Sequence, residues 1–341
     1  MSSSKITNKV LFSVVIPNWN GCQHLQECLT ALTRQTYKNF EVVFVDNAST
    51  DDSVIFVRQH FPQVKILEFQ ENIGFAGGVN AGIGVSHGLY VVLLNNDTAV
   101  ESTWLENLEK AIRENPDISV FASKLVNYYN RKIIDSAGDG FDLFLGPYKI
   151  GESARSEIFD ERRIVFGACG GGGCYKRELF ERIGLFDEDF FAYFEDVDLS
   201  FRANWAGIRT LMVPDAIIYH KVGATSGANP SIRDRFDILR RRNYVYLIVK
   251  NYPFAFLVRY VPFIFVTHCL KFLLNLCRGR FRVAFMTQWE IVKGVPRMCL
   301  KRRAIMAERR ISNSGMKSLC IPKYGGWWGF IKIKVKFGFS A

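Results

Sequence analysis

Short apolar runs rich in β-branched residues recur through the first hundred positions, at residues 12–16, 41–45, 65–69 and 90–94. Between them Leu25, Cys28, Leu29 and Leu32, and then Val54, Val57 and Arg58, fall at helical spacing. Continuously apolar strands alternating with helices predict a parallel sheet covered on both faces, with ligands gathered beyond the carboxyl ends of the strands. Thr103-Trp104-Leu105-Glu106 has capping-box spacing and predicts a helix carrying Trp104, Leu108 and Ile112 on one face, ending before Pro116. A less regular stretch follows to about Gly223, with four glycines at 170–173. Helices are expected at 176–183, closed by Gly184, and at 196–206, closed by Gly207. Residues 226–230 read as a linker.

With 341 residues, 48% of them hydrophobic, the chain can bury a full-sized core, which excludes a disordered tail. Charge divides it further. Residues 241–341 hold 20 Lys and Arg against 2 Asp and Glu, net +18, while residues 1–240 carry a net −7. The basic part is also rich in aromatic and aliphatic residues, so an anionic membrane surface explains it better than a nucleic acid, and no nucleic-acid motif is found. Residues 244–277 are largely apolar, but Lys250, Arg259 and Lys271 interrupt them, and Pro253 and Pro262 are expected to break any long helix. The uncharged run 260–270 is shorter than the ~20 residues of a span. An interfacial, re-entrant or in-plane segment is therefore expected. The eight cysteines show no C-x-x-C pair and read as reduced thiols of a cytosolic protein, without structural zinc. The apolar run that follows Lys5 and Lys9 ends in Pro17 with no small-residue cleavage site, so it reads as a first strand, not a signal peptide.

Five polar clusters carry candidate chemistry. Pro17-Asn18-Trp19-Asn20-Gly21 and Asp46-Asn47-Ala48-Ser49 end the first two strands, where Asp46 could accept from the N3–H of a uracil or thymine; capping of the next helix is the competing role. The run Asn72 to Gly82, with Gly74, Gly77, Gly78 and Asn80, places glycines at a helix start suited to diphosphate or ribose, or to tight helix packing. Without a Walker-type lysine it does not suggest an ATPase. Asn95-Asn96-Asp97 at a strand end suits Mg2+ or Mn2+ beside a diphosphate, or a simple turn. Glu195-Asp196-Val197-Asp198 follows an aromatic run and opens a helix, whose N-terminus favours an ionised carboxylate, so Asp196 is a candidate base. His220 closes a strand-like segment; alone, such a His is more often structural than metal-binding.

Taken in order, these motifs resemble a GT-A glycosyltransferase of family 2, especially the bacterial rhamnosyltransferase branch, over residues 10–225. The resemblance implies a Rossmann-like, mostly parallel sheet flanked by helices, with a catalytic domain at 10–230 (nucleotide-sugar part 10–120, acceptor and catalytic part 121–230); beyond it, charge and apolar pattern predict a basic, helical, membrane-associating region at 231–341. It implies that Asp46 reads the base, with Pro17, Asn18, Asn20, Asn47, Gly74, Gly77, Gly78, Asn80 and Asn96 on the donor. Gly172, Gly173 and Glu195 fall on the acceptor side, Asp196 is the base, and Asn95, Asp97 and His220 surround the divalent metal. Asn95 departs from the acid expected first in the DxD pattern. The implied reaction is inverting transfer from a nucleoside-diphosphate sugar, dTDP-L-rhamnose first, with UDP-galactofuranose, UDP-glucose or UDP-GlcNAc as alternative donors. The implied acceptor is a lipid-linked saccharide at the cytoplasmic face of the bacterial inner membrane, as in O-antigen assembly. A non-catalytic sugar-nucleotide-binding module remains open through Asn95.

Overall fold

The computed structural model describes residues 10–222 and 230–323; most of the linker expected at 226–230 lies outside them. Strands β1 (Phe12–Asn18), β2 (Phe40–Asp46), β3 (Lys65–Glu68) and β4 (Tyr90–Leu93) alternate with helices α1 (Cys22–Thr33), α2 (Ser53–His60) and α3 (Gly74–Val85). The order β4-β1-β2-β3 is parallel throughout, and its registers set Asn18 beside Asp46 and Val15 beside Leu93. The first three polar strand ends therefore meet along one edge, as the alternation of strands and helices requires.

Beyond β4 come β5 (Thr98–Val100), α4 (Trp104–Glu114), β6 (Val120–Asn127), β7 (Ile134–Ser136), a hairpin of β8 (Asp139–Asp142) and β9 (Gly146–Lys149), β10 (Arg163–Val165) and β11 (Gly173–Lys176). Then follow α5 (Arg177–Ile183), α6 (Glu195–Trp205) and β12 (Thr210–His220). β11 runs antiparallel to both β4 and β6, and β5, β7 and β10 are also antiparallel additions, so the sheet is mixed beyond its first four strands. α4 forms where its apolar face predicts, but Thr103 makes no capping bond; Glu106 instead accepts from Thr36 Oγ1 at 2.6 Å. Trp104 is fully buried, its indole N–H donating to Ser123 at 3.0 Å. Gly184 and Gly207 close α5 and α6 at φ +78°.

The C-terminal part is α7 (Pro230–Asn251), α8 (Phe254–Cys277), α9 (Phe281–Glu308) and α10 (Asn313–Leu319). Neither proline breaks α8: Pro253 precedes its first turn, and Pro262 sits inside one continuous helix of 24 residues, long and apolar enough to cross a membrane. Phe256, Tyr260 and Ile264, one face at i, i+4 and i+8, are buried in a third core cluster with Phe141, Phe190 and Trp205. This core joins the C-terminal helices to the front of the molecule. All eight cysteines are free thiols.

Candidate active site

A cleft of about 580 Å³ opens at the carboxyl ends of β1, β2 and β4. Its first wall holds Pro17, Asn18, Asn47, Gly74, Asn95, Asn96 and Asp97. Asn96 Nδ2 donates to Asn18 Oδ1 at 2.6 Å, and Asn18 Nδ2 to Asp46 Oδ1 at 3.1 Å, while Ser49 N–H donates to Asp46 Oδ2 at 2.9 Å. Asp46 is thus buried behind Asn18 and does not itself line the cleft. Asn20 stands at φ +53° and ties the two loops, its Oδ1 accepting from Thr50 N–H at 2.7 Å. Asn47 bridges to the start of α3, donating to Gly74 O at 2.8 Å and accepting from Ile73 N–H at 2.9 Å.

Gly77 and Asn80 serve packing: a Cβ on Gly77 would lie 3.2 Å from Ile73, whereas one on Gly78 would sit at ordinary contact distance, 3.6 Å from Asn47. Asn80 is spent on Phe186, accepting from its N–H at 3.0 Å and donating to its carbonyl at 2.8 Å. Gly173 opens β11 and Gly172 stands in the turn before it, where a Cβ on Gly172 would meet Leu125 and Ile218 at 2.9 and 2.8 Å. The glycines that reach the cleft are Gly74, Gly170 and Gly171.

The opposite wall is the segment 191–197. Phe191, Tyr193 and Phe194 all adopt positive φ (63°, 70° and 70°), rare conformations for aromatic residues that cost of order 1–3 kcal/mol each. Such strain persists only where neighbours enforce it. Asp196 follows in the first turn of α6, its Oδ2 accepting from Gly170 N–H at 2.8 Å and Oδ1 from Val197 N–H at 2.8 Å. Burial pushes its pKa up despite these donors, so burial outweighs the helix N-terminus. Glu195 lies beside it, and burial together with the Asp196 charge raises it well above the usual carboxylate range. Asp198 plays a different part. Fully buried, it pairs with Lys250 at 2.7 Å and Arg202 at 2.9 Å, which outweigh burial and hold its pKa down.

His220 reaches the first wall because β12 pairs with β5 in a register that sets it opposite Thr98. Its Nε2 is 3.6 Å from Asp97 Oδ1, and its Nδ1 is 2.9 Å from Asp135 Oδ2. Asp135 is in turn paired with Lys149 at 2.6 Å. Burial lowers the imidazole pKa, but the two carboxylates more than reverse this and bring it to about 9. Among the described residues no cluster of three or more His, Cys, Asp or Glu is placed to hold a metal. A divalent cation nevertheless fits the pair Asp97 and His220, since Asp135 occupies Nδ1 and leaves Nε2 turned toward the carboxylate. Asn95 lies alongside in the same wall, its amide against Gly171.

Asp135, Asp139, Lys149, Arg235 and Arg240 were not singled out by the sequence. All but Asp135 line the cleft. Asp139 is buried, and burial together with the Asp196 charge raises its pKa well above normal. The β8–β9 hairpin pairs Asp139 with Lys149, a meeting that no periodicity in these short strands announces.

Residues 13–184 match the model of glycosyl transferase family 2. The chain belongs to that family. Over 123 residues it is 34% identical to glycosyltransferase GlyG of Streptococcus pneumoniae, an alignment taking in 35% of this chain and 40% of that protein. Over 247 residues it is 28% identical to the N-acetylglucosaminyl-diphospho-decaprenol L-rhamnosyltransferase of Mycobacterium tuberculosis, covering 64% of this chain and 78% of that one. The chain thus spans less than half of GlyG. In fold it is similar to GalNAc-T7, solved with UDP, GalNAc and Mn2+ (TM-score 0.57, 18% identity, 72% of this chain and 48% of that one). It is also similar to a mannosyltransferase of Pyrobaculum calidifontis, solved with GDP-Man and Mn2+ (TM-score 0.51, 17% identity, 89% and 86%). The fold is GT-A.

Proposed function

We propose that this member of the family is an inverting glycosyltransferase that moves a sugar from a nucleoside-diphosphate donor to a hydroxyl of a lipid-linked saccharide, with dTDP-L-rhamnose as the donor. The observation that carries this reading is Asp196, a carboxylate facing a wall of strand ends across one cleft. Asp196 takes the proton of the acceptor hydroxyl as its oxygen bonds to the anomeric carbon. The bond from that carbon to the diphosphate oxygen breaks, and the diphosphate leaves as an anion, so no second carboxyl group need protonate it. The donor wall of residues 10–120 orients the nucleotide through Asn18, Asn47 and Asn96, with Asp46 fixing Asn18 from behind. Asp97 and His220 would hold a divalent cation, with Asn95 offering a neutral oxygen; such a cation supplies positive charge toward the departing diphosphate.

The rhamnose assignment draws on the mycobacterial relative's printed activity, and the lipid-linked acceptor on its decaprenol substrate. Membrane attachment draws on α8 and α9, which expose Phe254, Val258, Phe265, Val266, Leu270, Phe285, Trp289 and Val292 on the side away from the core. Arg259, Lys271, Arg278, Arg282 and Lys293 are exposed among them, suiting an anionic lipid surface. Although α8 is long enough to span, Phe256, Tyr260 and Ile264 pack on the catalytic core, so we place it in the plane of the cytoplasmic membrane face. The full chain should be warmed with a panel of sugar nucleotides and Mn2+ or Mg2+. A raised Tm with dTDP-L-rhamnose, and release of its nucleoside diphosphate on adding lipid-linked acceptor, are expected. Protection by another donor alone would replace the sugar; protection without any release would favour a binding module.

A further inference from the structure

The strained loop that carries the base is held chiefly from a helix that the sequence assigns to the membrane-associated region. Ala192 N–H donates to Phe190 O at 2.7 Å, closing a tight turn about Phe191. Such a turn leaves its carbonyls facing inward, where each needs a donor. Asn243 of α7 provides it. Fully buried, its Nδ2 lies 2.7 Å from Phe190 O, 2.8 Å from Ala192 O and 2.8 Å from Tyr193 O. The amide cannot be reversed, because Arg242 Nε donates to Asn243 Oδ1 at 2.9 Å. Arg242 also donates through Nη2 to Asp189 O at 2.9 Å and Phe190 O at 3.1 Å.

From the other side, Ala76 N–H at the start of α3 donates to Phe191 O at 3.1 Å. Gly74 stands at φ +82°, where a Cβ would come within 2.5 Å of that same oxygen. The loop is therefore gripped between the donor wall and α7, and Asp196 emerges two residues beyond its last left-handed residue.

We propose that Asn243, oriented by Arg242, is a positioning residue for transfer: it holds the 190–194 loop in its strained form so that Asp196 faces the donor wall. The inference rests on the reading of Asp196 as the base. It makes α7 part of the catalytic apparatus as well as the root of the C-terminal helices. The side chain itself touches no reacting atom, so its removal should lower kcat and spare donor binding.

The test uses the full-length protein with Asn243→Leu, which keeps the volume and removes the donors, and with Leu247→Ala, which loosens the same helix at a buried apolar position one turn further on without touching those donors. Asn243→Leu should lower kcat about 100-fold while the nucleoside-diphosphate Kd stays within about threefold. Hydrogen exchange across residues 189–197 should quicken about tenfold, with the strands β1 to β4 unchanged. Leu247→Ala should lower Tm comparably yet keep kcat within about threefold. If Asn243→Leu does not fold, Arg242→Gln takes its place and should show the same pattern, about tenfold weaker in kcat. The proposal is overturned by unchanged exchange at 189–197, or by equal kcat losses in Asn243→Leu and Leu247→Ala at matched Tm. The exchange measurement needs no substrate, so it decides the bracing of the loop even where the donor or the base has been assigned wrongly.

Discussion

The donor wall takes its side chains from the ends of three neighbouring parallel strands, β1, β2 and β4, all within the first hundred residues, and most of its backbone is ordinary strand and turn. The base wall is assembled from Gly170 and the 191–197 segment, with Asn243 behind it, and it carries three aromatic residues at positive φ. One wall follows directly from topology, because parallel strands align their ends whatever lies beyond them. The other exists only after β11, α6 and α7 have docked. On the proposed roles of the two walls, donor binding is expected to tolerate changes that transfer does not.

The largest expected effect is on the base. Asp196→Asn keeps size and removes the proton acceptor, and should reduce transfer about 1,000-fold with donor binding within about threefold, measured by product release and calorimetry. In the wild type, transfer should fall as pH drops through the titration of Asp196, which burial places above the ordinary aspartate range, because only the ionised form accepts the proton. Next comes the donor wall itself: Asp97→Ala should remove the tightening of nucleoside-diphosphate binding by Mn2+, about 100-fold, leaving the metal-free affinity unchanged. Equal titrations in variant and wild type would take Asp97 out of the site.

A smaller effect tests the seam between base wall and C-terminal helices. Asp187 is bound by Lys250 at 2.6 Å and Lys301 at 2.5 Å; burial raises its pKa, but these cations more than compensate and bring it from 3.8 to about 2. Because the folded value is the lower one, its stabilisation is complete above the ordinary pKa and is lost as pH falls toward 2. Asp187→Asn should cost about 2 kcal/mol at pH 7 and almost nothing at pH 2, read from denaturant unfolding at both. The smallest concerns the outer surface. Arg303→Ser should weaken binding to vesicles containing anionic lipid by about 1 kcal/mol, and high salt should release the wild type only in part. Complete release would contradict an apolar anchor.

The strand ends, the helix after Trp104 and the place of Asp97 were legible because periodicity and topology alone bring them to one edge, whereas Asp196 and His220 stood out only by their motifs and reach the cleft through the docking of α6 and the pairing of β12 with β5. The capping box at Thr103 was not, since Thr36 offered Glu106 a better partner. Composition also overstated the charge available to lipid: Arg242, Lys250, Arg280, Arg297 and Lys301 pair with carboxylates inside the molecule. Asn243 left no signal because its three acceptors are backbone carbonyls fifty residues upstream. Asp135 was hidden likewise, since its partners His220 and Lys149 meet it only across strands.

The central claim is a single displacement driven by one base across the cleft, and the anomeric configuration of the product tests it most directly. NMR of the saccharide formed by the full-length enzyme should show a linkage of configuration opposite to that of the donor. A retained configuration would contradict the account, since it would require a sugar bonded to the enzyme between two displacements.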